Sequence, residues 1–228
     1  MEKFSLNNQI EKVLRGENTC FLNPIDTRYI INILNKMSYP HNVFYLFSDT
    51  EKLLVYKDNV DITLFEIKCS DSLTHREILG SLFSHNLKEE VFSDIIIDNN
   101  KYFVAVLNKI KDYMICNFNK IGSKKIELIE RDISEVENYH YKYKSINIQV
   151  SSLRIDGIIS KLIPTSRKIS QDYIDNQKVI MNYQVLKNKN YSIKENDIFS
   201  IRGIGKFKVL EFNLNKNNKY QVIINKYI

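Results

Sequence analysis

The chain has 228 residues, of which 43% are hydrophobic and 26% are charged, values typical of a globular protein rather than a disordered one. No stretch approaches the roughly 20 apolar residues of a membrane span, and the charged N-terminal segment lacks the apolar core of a signal peptide, so we expect neither membrane contact nor secretion. Three widely spaced cysteines without a CxxC pair favour reduced thiols in a cytoplasmic protein, and no Cys/His spacing predicts a metal site or a cofactor.

The net charge of +6 is unevenly distributed along the chain. Residues 1–150 carry 19 Lys and Arg against 21 Asp and Glu, whereas residues 151–228 carry 14 against 6. The C-terminal segment therefore has a net charge of +8 and the remainder −2. A surplus confined to one segment predicts that this segment binds a polyanion.

The first 61 residues predict a small α/β region. Asn23-Pro24-Ile25-Asp26 has the features of a helix start, with an N-cap Asn, Pro at the first helical position and an acid in the first turn. This helix is expected to run to about Met37, before Pro40. The runs at 43–47 and 53–56 are rich in β-branched and aromatic residues and predict a strand pair.

Residues 62–145 predict a domain in which strands and helices alternate. The expected elements are a strand at 63–68, a helix that follows the capping box Thr74-His75-Arg76-Glu77, strands at 94–98 and 102–107, a helix at 108–119 and a strand at 125–129. This β-α-β-β-α-β order predicts a ferredoxin-like domain, an arrangement that RNA-recognition domains also use. Residues 131–145 are polar and predict a linker.

The strand at 101–106 tests whether this domain binds RNA bases in the manner of an RNA-recognition motif. Such a motif needs a glycine and a further aromatic residue in this strand, and both are missing from Lys101-Tyr102-Phe103-Val104-Ala105-Val106. We therefore expect Tyr102 and Phe103 to pack in the core rather than to stack on bases.

The C-terminal segment predicts two short helices followed by strands. Ser152 is expected to cap the first helix, and Pro164 to end it. The buried stripe of this helix is predicted at Ile155, Ile158, Ile159 and Leu162, and that of the second helix, which begins near Thr165-Ser166-Arg167, at Ile169, Tyr173 and Ile174. Strands are predicted at 179–182, 197–202 and 206–212, with Gly203 and Gly205 in a turn that requires positive φ.

Several residues of this segment have the spacing of a known RNA-binding module. They are Arg154-Ile155-Asp156, Ser166-Arg167, Ile174, Val179, Asn182, Val185, Ile193 and Asp197-Ile198. In this pattern the segment resembles the S4 RNA-binding domain. Two glycines of that family are replaced, by Gln177 and Asn196, at positions where the turn needs a left-handed backbone.

Three further motifs extend the resemblance along the chain. They are Phe21-Leu22-Asn23-Pro24, the stretch Leu73-Thr74-His75-Arg76-Glu77-Ile78-Leu79-Gly80, and Ser200-Ile201-Arg202-Gly203-Ile204-Gly205-Lys206-Phe207. Together they resemble the YlmH-like S4 proteins of Gram-positive bacteria. The segment 45–52 departs from the family, because a glycine pair and a Glu-Arg pair are absent from it.

The resemblance implies a cytoplasmic, non-catalytic RNA-binding protein that is associated with the large ribosomal subunit and with rescue of stalled peptidyl-tRNA. The fold class that we predict is α+β, in three parts: an N-terminal α/β region at 1–61, a ferredoxin-like domain at 62–145 and an S4 domain at 150–228. The expected partners are ribosomal RNA and, as a second candidate, tRNA; no cofactor or membrane partner is expected, and the chain is expected to be a monomer.

The predicted RNA-binding residues all lie in the C-terminal segment. They are Arg154, Lys161, Ser166, Arg167, Lys168, Lys178, Asn182, Lys187 and Arg202. Arg167 at a helix start is expected to donate two N–H bonds to one phosphate, aided by the free N–H groups of that turn. Two residues have an equally simple structural interpretation: Arg154 as the partner of Asp156 in an ion pair, and Asn182 as the residue that fixes its turn.

Two other functions remain open at this point. An RNA-modifying enzyme with an accessory S4 domain would need a glycine-rich loop or a metal motif, and the sequence predicts no catalytic residue. Alternatively, residues 1–145 form a protein-docking adaptor while the S4 segment supplies RNA affinity. Capping and packing account for Thr74–Gly80, although a binding role for His75 or Arg76 stays open.

Overall fold

A computed structural model describes residues 3–228, and the chain divides into two compact units, residues 1–140 and 141–228. The first unit carries 17 Lys and Arg against 21 Asp and Glu, a net charge of −4, and the second carries 16 against 6, a net charge of +10. Within residues 3–228, none of the helices has the length and apolar character that crossing a bilayer requires. The mixture of helices and sheets that the predicted α+β class implies is confirmed.

The first unit contains four helices and eight strands among its described residues. They are α1 (Lys3–Leu14), α2 (Pro24–Lys36), β1 (Asn42–Phe44), β2 (Leu54–Tyr56), β3 (Ile62–Lys68), α3 (His75–Ser84), β4 (Ile96–Asp98), β5 (Lys101–Leu107), α4 (Lys111–Asn117), β6 (Lys120–Ile121), β7 (Lys124–Lys125) and β8 (Glu127–Arg131). Strands β1 and β2 pair with each other, as do β6 and β7, and the other four form one antiparallel sheet in the order β4-β5-β3-β8.

The start of α2 follows the sequence prediction. The side-chain oxygen of Asn23 accepts hydrogen bonds from the backbone N–H groups of Ile25 at 3.0 Å and Asp26 at 2.9 Å, which satisfies two donors that the helix leaves free. Strand β1 is shorter than predicted: it ends at Phe44, and Leu46 and Phe47 are buried outside it.

The central elements β3, α3, β4, β5, α4 and β8 follow one another in the predicted order. The capping box is present: Thr74 Oγ1 accepts from the N–H of Glu77 at 3.2 Å, and Glu77 Oε2 accepts from the N–H of Thr74 at 2.8 Å. The helix predicted at 108–119 is divided into a 3₁₀ turn at Asn108–Ile110 and α4. The last strand begins two residues later than predicted, because Lys124–Lys125 instead pairs with Lys120–Ile121.

The second unit contains a six-stranded antiparallel sheet and two helices. Its elements are β9 (Tyr143–Val150), α5 (Ile155–Leu162), α6 (Arg167–Asp175), β10 (Val179–Met181), β11 (Gln184–Val185), β12 (Ile198–Ile201), β13 (Gly205–Leu214) and β14 (Tyr220–Tyr227). The strand order is β11-β10-β12-β13-β14-β9. One hydrophobic core joins the helices to one face of this sheet, with Ile155, Ile158 and Ile174 among its buried residues.

Strand β9 corrects the predicted linker at 131–145. Residues from Tyr143 onwards pair with β14, from Tyr143 opposite Tyr227 to Val150 opposite Tyr220. The signal was present in the sequence, since Ile146, Ile148 and Val150 alternate with polar residues as in a strand with one buried face. Strand β14 was also missed; it extends the predicted strand at 206–212 into a long hairpin.

The start of α5 and the inner face of α6 also differ from prediction. The N-cap of α5 is Arg154 rather than Ser152, because the chain up to Ile155 pairs with residues 191–193. In α6, Ile169 is 47% exposed and Ser170 is buried instead, whereas Ile174 is buried as predicted and Tyr173 is partly buried against the core. The N-cap of α6 is Ser166, which agrees with the predicted start near 165–167.

The turn residues of the second unit adopt the backbone conformation that the sequence predicted. Gly203 and Gly205 have φ of 84° and 144°. Gln177 and Asn196, which stand where the S4 family has glycine, have φ of 54° and 66°. A left-handed backbone is strained for a residue with a Cβ, and Asn tolerates it better than Gln.

We therefore expect Gln177→Gly to raise the free energy of unfolding by about 1 kcal/mol, since glycine relieves the strain at positive φ. Asn196→Gly should raise it by less. Urea unfolding of the full chain measures both changes, with Gln149→Gly in β9 as a control that should destabilise. A loss of stability in Gln177→Gly would contradict this account of the turn.

Candidate nucleic-acid interface

All nine residues predicted to bind RNA lie in the second unit, and the structure divides them into groups. Arg154, Ser166, Arg167 and Lys168 lie where α5 and α6 begin. Lys178, which follows the C-terminal end of α6, adjoins Arg202, because the N–H of Arg202 donates to the carbonyl of Lys178 at 2.8 Å. Lys187 lies near Lys178, since the N–H of the preceding Leu186 donates to the carbonyl of Val179 at 2.9 Å. Lys161 is in the last turn of α5, and Asn182 is in the turn between β10 and β11.

Arg167 lies against the first turn of α5. A Cβ at Gly157 would stand 3.2 Å from Arg167 Nη2, and the three atoms nearest to that position all belong to Arg167. The residue is exposed, and no described residue forms a side-chain hydrogen bond or ion pair with it. Arg167 therefore lies over the first turn of α5, and its side chain is exposed to solvent.

Arg154 is held by a buried carboxylate. Its Nη2 and Nε lie 2.8 and 3.2 Å from the two oxygens of Asp156, whose side chain is fully buried. The same carboxylate accepts from the N–H of Gly157 at 2.8 Å and from Gln171 Nε2 at 3.0 Å. The ion pair that the sequence left open for Arg154 is thus present, and the Arg154 side chain remains 40% exposed beyond it.

The pKa of Asp156 reflects two opposing effects. Burial raises the pKa, because it disfavours the charged form. The hydrogen bonds from Arg154 and Gln171 outweigh it, so the pKa lies below its usual value and the carboxylate is ionised at neutral pH. A buried negative charge is therefore the fixed point that orients Arg154.

Ser166 and Lys168 flank Arg167. Ser166 Oγ accepts from the N–H of Ile169 at 3.3 Å, so the side chain serves as a helix cap. Lys168 is exposed and has no described partner. The start of α6 thus presents two adjacent cations to solvent.

Asn182 has the structural role that the sequence offered as an alternative. It has φ of 47° in the turn between β10 and β11; its Nδ2 donates to Asp197 at 2.8 Å and its Oδ1 accepts from the N–H of Ile198 at 3.0 Å. Asp197 is buried and also accepts from Tyr191 at 3.0 Å. Burial and the charge of Asp197 raise the pKa of Tyr191 to about 12.

The central sheet of the first unit has no exposed aromatic side chains on β5. Tyr102 and Val104, which face the helices, are 2% and 0% exposed, and Phe103 and Ala105 on the opposite face are 5% and 0% exposed. Both faces of this strand are buried. The prediction that these aromatic residues pack in the core, rather than stack on bases, is confirmed.

Residues of the motif at 73–80 form packing and capping contacts within the first unit. The N–H of Leu73 donates to the hydroxyl of Tyr102 at 2.9 Å, and Lys124 Nζ lies 2.6 Å from Glu77 Oε1. Hydrogen bonds from Lys124 and Thr74 lower the pKa of Glu77 to about 2. Arg76 is exposed on α3. Among residues 3–228, no three His, Cys, Asp or Glu side chains converge in a way that could hold a metal ion.

Two residues that contact Asp156 or Arg167 were not predicted from the sequence: Gly157 and Gln171. A glycine inside a short helix lowers helix stability, so its presence signals a close approach by another group. Gln171 carries no comparable signal, because its role depends on the packing of α6 against Asp156.

Residues 56–135 match a family model described as "Putative RNA-binding domain in YlmH". A relative from Bacillus subtilis (strain 168), "Ribosome-associated protein quality control protein P2", is 26% identical over 170 residues, which cover 73% of this chain and 66% of that protein. The chain thus spans slightly less than two thirds of the length of that relative.

A solved structure, "Cell division protein ylmH from Streptococcus pneumoniae", aligns with a TM-score of 0.49 at 17% identity and covers 59% of this chain and 92% of that chain. The resemblance to YlmH-like proteins that the sequence predicts is confirmed by the family match and the relative. Together they support an RNA-binding role.

The buried carboxylate makes stability depend on pH. Because its pKa is lowered on folding, Asp156 contributes stability that is present above the unfolded pKa of about 3.9 and is lost as the pH falls through the folded pKa. We expect Asp156→Asn to lower the free energy of unfolding by about 2 kcal/mol at pH 7, and the difference from the unaltered chain to shrink below about pH 4. Urea unfolding between pH 7 and pH 3 measures this.

Gln171→Ala is the matched control for that experiment. It removes one hydrogen bond to Asp156 and should cost about 1 kcal/mol at neutral pH while leaving the carboxylate and its ion pair with Arg154 in place. An Asp156→Asn variant that loses the same stability at pH 7 and pH 3 would contradict a charged Asp156.

Proposed function

We propose that this chain is a non-catalytic RNA-binding protein that contacts ribosomal RNA of the large subunit through the start of α5 and α6. The observation that carries the proposal is the placement of two guanidinium groups, Arg154 and Arg167, at the same first turn of α5. One is fixed by a buried carboxylate and the other is open to solvent. We call Arg154, Ser166, Arg167 and Lys168 the α5–α6 surface.

The chemistry of this surface suits a phosphate backbone. Arg154 uses two of its five N–H donors on Asp156, which leaves the others for a phosphate. Arg167 donates to a second phosphate with its planar fork, and Lys168 adds a less directional charge. A rigid cationic surface of this kind fits an A-form RNA stem, which proteins recognise by shape and backbone more than by sequence.

The distribution of charge favours an RNA interface on the second unit rather than on the first. The second unit has a net charge of +10, whereas residues 56–135, which match the RNA-binding family model, carry 11 Lys and Arg against 14 Asp and Glu. Nonspecific attraction to RNA is electrostatic. The second unit therefore supplies most of the affinity, and any contact from the first unit depends on local groups such as Arg76.

The domain assignments belong to the same proposal. We take residues 150–228, with β9 added, as an S4 domain, supported by the two helices, the Arg154–Asp156 pair and the turn positions Gln177 and Asn196. We take residues 62–142, shortened from the expected 62–145 because β9 belongs to the second unit, as a ferredoxin-like domain, supported by its element order and its β4-β5-β3-β8 sheet. We take 1–61 as an N-terminal region within the same compact unit.

The name of the Bacillus subtilis relative supports a setting for this activity. We propose that the chain acts as a monomer in the cytoplasm, on large ribosomal subunits, and contributes to rescue of stalled peptidyl-tRNA, with tRNA as a second RNA partner. A binding role also accords better with the family match than an RNA-modifying enzyme does.

We expect Arg167→Ala to weaken binding to large ribosomal subunits and to lower the slope of log K against log salt by about one, because one phosphate contact is lost. Co-sedimentation with purified subunits across a salt series measures both quantities. Arg28→Ala, an exposed arginine of α2 in the first unit, is the control and should leave both unchanged. An unchanged slope in Arg167→Ala would remove this residue from the interface.

Gly157→Ala separates RNA affinity from stability. The new Cβ would crowd Arg167 Nη2 and displace the guanidinium group, while alanine favours the helix by about 0.5–1 kcal/mol. We expect weaker subunit binding without a loss in the free energy of unfolding. Gly80→Ala in α3, where a Cβ would meet no atom within 4 Å, is the matched control. Equal binding by both variants would refute the placement of Arg167.

A further inference from the structure

The sheet of the second unit has one open face. Its strands alternate between side chains that join the core with α5 and α6 and side chains on the opposite side. On β9, Ile148 and Val150 are buried, while Ser145, Asn147 and Gln149 are exposed. The face of the sheet that lies away from the helices is therefore exposed to solvent along the edge strand β9. We call it the open face.

Three tyrosine rings cluster at one end of this face. Tyr143 on β9 is the direct partner of Tyr227 on β14, and their ring centroids are 5.0 Å apart with an interplanar angle of 73°. The ring of Tyr141 lies 5.1 Å from Tyr227 and 6.4 Å from Tyr143. All three side chains are only partly buried, so part of this aromatic cluster is exposed to solvent.

Two lysines of β13 lie on the open face next to the tyrosine cluster. Lys206 Nζ lies 4.9 Å from the centroid of Tyr227, and Lys208 is on the same face, where its Cα partner is Asn225. Among the open-face residues of β9, β12, β13 and β14, the one carboxylate belongs to Glu211, which pairs with Ile223 beyond the β13 bulge. The tyrosine end of the face is thus cationic and aromatic.

We propose that this open face binds an unpaired segment of RNA, with a base stacked on the tyrosine cluster and the backbone along Lys206 and Lys208. Aromatic rings beside cations on an exposed sheet are the combination by which proteins hold single strands, since every base has a π-face and every nucleotide a phosphate. Amide side chains such as Asn225 and Asn147 add hydrogen-bond partners for base edges.

The proposal rests on the RNA-binding role proposed above and adds a second surface to it. The α5–α6 surface lies on the helical side of the sheet and suits an RNA stem. The open face lies on the other side of the sheet and suits single-stranded RNA. A structured RNA with an unpaired extension would contact both surfaces of the same unit.

The test uses the full chain and two fluorescein-labelled probes, a ten-nucleotide oligouridylate and a ribosomal RNA stem-loop, with fluorescence anisotropy as the readout. We expect Tyr143→Ala to weaken oligouridylate binding by at least about fivefold and to leave stem-loop binding unchanged. Tyr143→Phe, which keeps the ring, should bind both probes normally. Tyr45→Ala, an exposed tyrosine of the first unit, is the control and should also bind both probes normally.

Arg167→Ala distinguishes this proposal from the proposed function. It should weaken stem-loop binding and spare the oligouridylate, the reverse of Tyr143→Ala. Should Tyr143→Ala fail to fold, Lys206→Gln decides: a lower salt slope for the oligouridylate, by about one, supports the proposal. Unchanged oligouridylate binding in a folded Tyr143→Ala variant overturns the proposal. The α5–α6 surface is tested separately, by the effect of Arg167→Ala on stem-loop binding.

Discussion

The second unit depends on the interactions of one fully buried carboxylate, that of Asp156. A charge removed from water is tolerated only where hydrogen bonds and an opposite charge compensate it. Its partners come from three places: Arg154 at the cap of α5, the N–H of Gly157 in its first turn, and Gln171 on α6. The same contacts therefore connect α5 with α6 and orient the Arg154 side chain of the proposed interface.

The two units differ in net charge and in how far their sheets are buried. In the first, the central strand β5 is buried on both faces and contributes to packing. In the second, the helices cover one face of the sheet and leave the other accessible. The basic surplus coincides with the unit whose sheet is half covered, and this accords with a binding role for that unit.

Local signals in the sequence predicted much of the fold, and long-range pairing did not follow from them. Caps at Asn23 and Thr74 were recognised because their partners lie within three residues. The cap at Arg154 was missed because the bridge that sets it, to Ser192, lies far along the chain, whereas β9 was missed although its alternation is a local signal. The site follows the same rule, since the residue types at 154 and 167 were evident while the close approach of Arg167 to Gly157 is a tertiary contact.

The pairing of β9 with β14 joins the beginning of the second unit to its end, since Tyr143 and Tyr227 lie 84 positions apart in the chain. Contacts of such high sequence separation slow folding, because a long loop must close before the pairing yields any free energy. During synthesis β9 leaves the ribosome well before its neighbour in the sheet exists. The nascent chain therefore carries an unsatisfied strand edge, a template for aggregation, until translation reaches β14.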